Sequence, residues 1–549
     1  MPIVRINGTA LQVEPGMTLL QAAEKLGAAV PTLCSLDGLE PFTSCMICVV
    51  EESATGRLLP ACSAPARDGT SIETDTEVVR AARRAALELL LAEHVGNCEA
   101  PCTLACPLGI DIAEVLRRVR EGGVRDALST MRRASAFPGL VCRLCSAPCE
   151  SACRRGKYDQ AVAIRCLMQH IVETDSCGDT PCLPAAAEPT GKTVAVVGAG
   201  AAGLSAAYHL ALSGHACRTF EAEATPGGSL LQIPFIDQSL RQALDRELKI
   251  LESLGVTFEL NAPVEEAVGL AKIMESHDAV VIAAGEGSPA AFGFPAVSSP
   301  DAHAPQPETG TTGAARYRTI TANVFAAGSA VKAGCSIVEA MAQGKAAAAC
   351  ADQYLRGEEI SGPRRRFQSH IGRLLEGEVL EFLKGAADIP RIDAGESSGP
   401  PAGTSEAAAV YGQAEAAAEA SRCFQCDCGK KDTCRLRLYA EQYGVRQRAF
   451  SVGERRRFER ILQHPEVGYE PGKCIKCGIC VRITAVEKEQ VGLSFLNRGY
   501  DLRIGVPFGD LLSRALEHSA QACVIACPTG ALVFRRPPGG GPAAERKDV

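Results

Sequence analysis

Twenty-six cysteines in a chain of 549 residues are the feature with the most chemistry in it. Most stand in tight groups with C-x2-C or C-x3-C spacing, which lets neighbouring thiolates converge on one metal centre. The groups are Cys34, Cys45, Cys48 and Cys62; then Cys98, Cys102 and Cys106, preceded by His94; then Cys142, Cys145, Cys149 and Cys153. Two more follow, Cys423, Cys426, Cys428 and Cys434, and Cys474, Cys477 and Cys480 with Cys527 further on. Such runs suit metal ligation in a reducing, cytoplasmic setting better than a secreted disulfide framework. A second chemical stretch runs from Thr193 to Gly228, where an apolar strand enters Gly198-x-Gly200-x-x-Gly203. Gly198 allows a tight turn, Gly200 lets backbone amides reach a pyrophosphate, and Gly203 lets the helix opening at Ala201 pack on the strand. Glu221 ends the next strand, where an acid accepts from a ribose hydroxyl, and Gly227 and Gly228 close the stretch. The expected ligand is FAD, although this fingerprint alone fits NAD equally well.

These groups require several domains to position them. Residues 1–77 alternate apolar and polar, turn at Glu14-Pro15-Gly16 and enter a helix at Thr18. The C-x10-C-x2-C-x13-C pattern departs from plant-type spacing. It resembles the N-terminal β-grasp ferredoxin of the large iron-sulfur subunit of respiratory complex I and of related hydrogenases and formate dehydrogenases, which implies one [2Fe-2S] cluster. Residues 78–180 carry His94-x3-Cys98-x3-Cys102-x3-Cys106-Pro107 and VCRLCSAPCESACRRG on helices. Here the chain resembles the N-terminal domain of the glutamate synthase small subunit and of dihydropyrimidine dehydrogenase, which implies two [4Fe-4S] clusters. Seven cysteines and His94 supply the eight ligands, with the pairing between the segments left open.

Residues 190–357 resemble the Rossmann-type FAD domain of the same glutamate synthase family, through DAVVIAAG and NVFAAGSAVKAGCSIVEAMAQGKAAAA. That family inserts an NADPH-binding domain between these two segments. Here only 37 residues, 286–322, separate them, with five prolines and no helical period. A nucleotide domain needs about two βαβ units of roughly 30 residues each, so the insertion is expected to be missing. Gly285-Glu286-Gly287-Ser288-Pro289-Ala290 then reads as a decoy fingerprint. The family's Gly-Asp becomes Gly328-Ser329, whose hydroxyl can still hydrogen-bond, and a helix from Ser336 aims its N-terminus at the flavin.

A helix and linker fill 358–420, with a basic amphipathic helix expected over Arg364 to Lys384. The segment 421–470 holds C-x2-C-x-C-x5-C, read as a further [4Fe-4S] site with a zinc knuckle as competitor. Residues 471–537 resemble the bacterial-type ferredoxin segment of the complex I and formate dehydrogenase families. In that pattern the fourth cysteine of each run serves the other cluster, so Cys474, Cys477, Cys480 and Cys527 make one complete [4Fe-4S] site. The second site is lost, since Thr484, Glu517 and Ala520 stand at three of its places. The tail 538–549 is expected to be disordered.

A net charge of -7 argues against nucleic acid. The small residues of 194–212 suit a buried nucleotide fold rather than a membrane span, and no export signal is visible. The expected whole is a multidomain α/β and α+β electron-transfer subunit with one [2Fe-2S], four [4Fe-4S] clusters and FAD, and with no catalytic residue of its own assigned. Its expected partners are an NADH dehydrogenase-type flavoprotein, a formate dehydrogenase or a hydrogenase, with ferredoxin as acceptor and flavin-based electron bifurcation as an extension. The alternatives are a self-sufficient NAD(P)H oxidoreductase and a structural cluster-bearing subunit without flavin.

Overall fold

The computed structural model describes all residues except 177–181, 233–237, 265, 286–316, 320, 365, 393–410, 451–452, 454 and 536–549. The decoy fingerprint beyond Gly285, most of the proline-rich stretch, the linker around 395–405, Cys177 and the C-terminal tail lie outside the described residues. The chain divides into two compact units. One comprises Met1–Ala100, Arg366–Ala386 and Phe424–Val549; the other comprises Pro101–Arg365 and Ala387–Cys423.

In the first unit, β1 (Ile3–Ile6) buries Val4 and Ile6 on one face, the period-2 alternation of a half-covered strand. Asn7 and Gly8 take left-handed φ of 49° and 80°, which turns the chain tightly into β2 (Thr9–Gln12). With β3 (Val49–Glu52), β4 (Leu58–Pro60) and β5 (Ser71–Glu73) these form a sheet of order β2-β1-β5-β3-β4, in which β1 and β5 run parallel. Helix α1 (Leu19–Lys25) starts with a capping box between Thr18 and Gln21 and lays Leu19, Leu20, Ala22 and Ala23 into the core. Helix α2 (Glu77–Ala92) is capped by Thr76 and buries Val79, Arg83, Leu87 and Leu91. Arg83 is 1% exposed, donating to the Val49 carbonyl at 2.8 Å and the Tyr443 hydroxyl at 3.0 Å. A core formed by Leu33, Cys34, Cys45 and Ile47 with Leu87 and Leu91 continues into Val467, Tyr469, Cys477, Ile479 and Leu532. Strand Val467–Tyr469 pairs antiparallel with Leu532–Phe534, so the two ends of the C-terminal segment are stitched together.

The expected helix over 364–384 is corrected by the structure: among the described residues of that segment only Glu378–Leu383 is helical. Gly372 and Gly377 take φ of 75° and 80°, which breaks a right-handed helix. Backbone donors before it go to side chains instead, Ile371 N to Asn97 Oδ1 at 2.9 Å and Leu375 N to Glu378 Oε2 at 2.7 Å.

In the second unit, β6 (Thr193–Val197) is apolar and buried from Val194 to Val197, as a central parallel strand must be. It lies between β7 (Ala216–Phe220) and β9 (Ala279–Ile282) in a five-stranded sheet of order β10-β9-β6-β7-β8, all parallel, with β8 at Thr257–Glu259 and β10 at Val324–Ala326. Helix α3 (Ala201–Leu212) packs on helix α4 (Ile337–Leu355), with the Ser205 hydroxyl donating to the Met341 carbonyl at 2.8 Å. Gly344 makes that approach possible, because a Cβ there would collide with the Ala202 carbonyl. A helical part, from Pro101–Ala105 to Ile164–Ser176, is braced by buried ion pairs. Arg155 holds Asp159 at 2.6 Å, and Arg422 holds Glu419 at 2.9 Å and Asp159 at 3.1 Å. Among the described residues, no helix is long and apolar enough to cross a membrane.

Candidate cofactor sites

The loop between α1 and β3 carries Cys34, Cys45 and Cys48, and Cys62 follows β4; all four are buried. The Sγ atoms of Cys48 and Cys62 are 3.3 Å apart. Hydrogen bonds from Cys45 and Cys62 pull the Cys34 thiol well below its ordinary pKa, and the same contact with Cys34 pushes both of those thiols up. Cys48 is drawn down to about 7, chiefly by its hydrogen bond with Cys62. Four thiols sharing protons in this way can release them together to a metal centre. Thr43 and Met46 sit at left-handed φ of 54° and 55°, strain tolerated where the loop curls around the thiols.

Cys474, Cys477, Cys480 and Cys527 open onto one cavity in the first unit, whose other walls include Tyr469, Ile479, Leu493, Ile504 and Leu532. Burial pushes Cys474 up to about 11 and Cys477 up to about 12. An apolar wall fits an iron-sulfur cluster that must be shielded from water. Left-handed Lys476 and Gly478 let the C-x2-C-x2-C run wrap the cavity. Cys523 is fully buried outside that wall, its Sγ 3.8 Å from the Cys480 carbonyl. This cavity adjoins the ferredoxin site: the Cys34 charge acts on Cys477, and Arg482 donates to the carbonyls of Cys34 at 3.0 Å and Cys477 at 3.5 Å.

Also in the first unit, Cys98 lies with Cys428 and Cys434. Cys428 N donates to the Cys98 carbonyl at 3.0 Å. Burial pushes Cys434 up to about 12, with the charges of Cys428 and Cys98 adding. Cys426 packs against Phe382, Phe424 and Phe458, whereas Cys423 belongs to the other unit. His94 stands beside the Glu470–Lys473 pair, its Nδ1 sealed from solvent with no hydrogen-bond partner. Burial holds its imidazole neutral by lowering it to about 4, the protonation state a ligand needs.

In the second unit, Cys106, Cys142, Cys145 and Cys149 line one cavity with Ile110, Ile112, Val141, Arg165 and Met168. Burial pushes Cys142 and Cys149 up to about 12. Cys102 is buried on helix Pro101–Ala105 and Cys153 precedes the turn Arg154–Lys157; neither is in that wall. Lys345, on α4, reaches this site: its Nζ donates to the carbonyls of Leu108 at 2.8 Å and Ala134 at 3.0 Å. Burial lowers it to about 8, opposed by the Cys106 charge. No spacing rule pointed to Lys345 or Arg482, since each acts across a tertiary contact.

The glycine loop follows β6. Gly198 has φ of 100°, where a side chain would strike the backbone of Ala283 and Ala284, and a side chain at Gly203 would strike the Gly198 carbonyl. Gly200 precedes α3 with open space at its Cβ position, the cradle a pyrophosphate needs. The Glu221 carboxylate accepts from Ala199 N at 2.6 Å and Glu223 N at 3.1 Å, so it braces the loop as well as facing it. Gly227 N donates to the Ala199 carbonyl at 2.8 Å, and Gly228 lies against Gly200. Gly328, at φ of 71°, approaches Ala202, with Ser329 beside it half-buried. Ser336 caps α4 in a capping box with Glu339, which already occupies part of that helix's N-terminal donor set.

Three family models match parts of the chain. A 2Fe-2S iron-sulfur cluster binding domain covers residues 3–77, the dihydropyrimidine dehydrogenase domain II, 4Fe-4S cluster, covers 74–178, and an NAD(P)-binding Rossmann-like domain covers 196–254. The NADP(+)-dependent formate dehydrogenase subunit beta of Moorella thermoacetica is 36% identical over 34% of this chain and 29% of its own length. The glutamate synthase [NADPH] small chain of Mycobacterium tuberculosis is 38% identical over 34% of this chain and 39% of its own. An NADH-quinone oxidoreductase subunit of Rhizobium meliloti is 42% identical over 17% of this chain and 11% of its own. The chain thus spans less than half the length of each of these curated relatives. Its homologues are oxidoreductases or subunits of oxidoreductase complexes, and it joins their iron-sulfur and Rossmann-like domains in one polypeptide.

Proposed function

We propose that this mosaic of iron-sulfur and Rossmann-like domains is the wiring subunit of a multi-subunit iron-sulfur flavoprotein oxidoreductase. The observation that carries the reading is the shared core of the first unit, which holds Cys34, Cys45 and Cys477 together, with Arg482 donating to the carbonyls of both Cys34 and Cys477. Iron-sulfur clusters carry single electrons, and a bound flavin converts between one- and two-electron steps. The chain's residues supply the rest. Apolar walls exclude water from the thiolates, hydrogen bonds and buried cations set potentials, and the glycine loop of the second unit holds a dinucleotide, which we assign as FAD. The assigned content is one [2Fe-2S] and four [4Fe-4S] clusters.

The partner class is an NADH dehydrogenase-type flavoprotein, a formate dehydrogenase or a hydrogenase, with ferredoxin as an acceptor. A flavin served by clusters is also the arrangement that can divide an electron pair between two acceptors, so the proposal extends to bifurcation. The test is cofactor analysis of the chain purified without oxygen, followed by pull-down of its native complex. Stoichiometric FAD with about eighteen irons per chain, two for a [2Fe-2S] and four for each of four cubanes, supports it. A chain free of flavin or iron overturns it. A second reading, a self-sufficient NAD(P)H oxidoreductase, is favoured by the NAD(P)-binding match over 196–254; it predicts reduction by a nicotinamide without any partner.

A further inference from the structure

We infer that Cys98 is a ligand of the same cluster as Cys428 and Cys434, so that this centre is closed by residues more than three hundred positions apart. The spacing of 423–434 suggests a local four-cysteine knot, but the fold distributes those thiols differently. Cys98 and Cys428 are clamped through the backbone by the 3.0 Å bond from Cys428 N to the Cys98 carbonyl. Their neighbours zip the same two segments together, with Glu99 held by Arg437 at 2.9 Å and by Lys431 at 3.6 Å. All three of those side chains are largely buried, so the ion pairs are structural rather than solvent-exposed contacts.

The sulfur atoms are prepared for the role. Ser369 donates its backbone N–H to Cys98 Sγ at 3.4 Å, which is how a protein steadies a cluster thiolate, and its hydroxyl, which donates to the Gly96 carbonyl at 3.0 Å, lies 3.3 Å from the same sulfur. Cys428 Sγ is seated against Gly530, where any Cβ would collide with it. The Lys473 ammonium, buried and paired with Glu470 at 2.5 Å, is a cation of the same unit. Cys426 packs against the apolar cluster that includes Phe382, Phe424 and Phe458. Proximity in sequence therefore does not decide membership; the packed segments do.

The inference rests on reading these thiols as cluster ligands, and the experiment separates the two. The full chain is purified anaerobically as wild type, C98S, C428S, C434S and C423S, reduced with dithionite and examined by low-temperature EPR with iron analysis. Loss of one and the same [4Fe-4S] signal in C98S, C428S and C434S, with that signal kept in C423S, is the expected result. The [2Fe-2S] signal of the Cys34 site serves as the internal mark of folding. If C98S and C428S delete different signals, or C423S deletes the one that C428S deletes, the assignment of Cys98 is overturned. Should C98S fail to fold, the C423S comparison still decides against or for the local knot. A wild-type chain with no [4Fe-4S] signal would instead overturn the cluster reading as a whole.

Discussion

Two cysteine cavities in this molecule look alike in their thiols and differ in their charges. The cavity of Cys474, Cys477, Cys480 and Cys527 has no charged side chain in its wall among the described residues. The cavity of Cys106, Cys142, Cys145 and Cys149 has Arg165 in its wall and the Lys345 ammonium beside Cys106. Adding an electron to a cluster adds negative charge, which burial in an apolar wall opposes and a nearby cation favours. Cations reach both sites, but differently: Arg165 lines the second wall, whereas Lys430 and Arg482 stand behind the first and donate to the carbonyls of Cys527 at 2.7 Å and Cys477 at 3.5 Å. The same set of thiols is thus surrounded by different charges in the two units.

The strongest way to break the comparison is to remove a ligand from each cavity. C477S and C145S are each expected to lose about four irons and one cluster signal, a different one in each variant, as read by EPR and iron analysis. A common signal lost from both would mean that the cavities are not separate centres.

Changing only the charge sharpens it. Lys345→Met is expected to lower the midpoint of the Cys106 centre by roughly 50–100 mV in a spectroelectrochemical titration and to leave the Cys477 centre unchanged. Lys345→Arg keeps the charge and should stay near wild type. Arg482→Met, which removes a cation touching the backbones of two sites, should lower the midpoints of both the [2Fe-2S] centre and the Cys477 centre by roughly 30–60 mV. A shift confined to one of them would show that the sites are not electrostatically joined.

The smallest expected effect is on stability in acid. The Arg155 hydrogen bond holds Asp159 well below the usual carboxylate range, against burial, with Arg422 assisting. A depressed folded-state pKa contributes stability that is fully present above the unfolded value near 4, declines below it, and is lost completely only as pH falls through the lower folded-state value. Thermal melts from pH 7 to pH 3 should show this contribution for wild type and not for Asp159→Asn, which is expected to be less stable at pH 7 and closer to wild type at pH 3.

Much of this was legible in the sequence because local rules govern it. The helix entered at Thr18, the apolar run into Gly198 and the C-x2-C-x2-C grouping at Cys474 are each fixed by residues within a few positions. What the sequence hid depends on long-range packing. Nothing local marks Cys98 as a neighbour of Cys434, or Lys345 as a neighbour of Cys106. The segment before Glu378 has helical amphipathicity, yet two left-handed glycines and side-chain partners such as Asn97 hold it open. Glu221 was legible as an acid in the right place, but its hydrogen bonds to the glycine loop itself appear only in the fold.

The central claim is that this chain relays electrons without oxidising a nicotinamide itself. It is tested most directly by anaerobic titration of the purified, reconstituted chain with NADH and then NADPH, following flavin and cluster bleaching in the absence of any partner. The wiring reading predicts no bleaching at a useful rate until dithionite or the co-purified partner is added. Prompt bleaching by either nicotinamide alone would contradict it and make the chain a dehydrogenase in its own right.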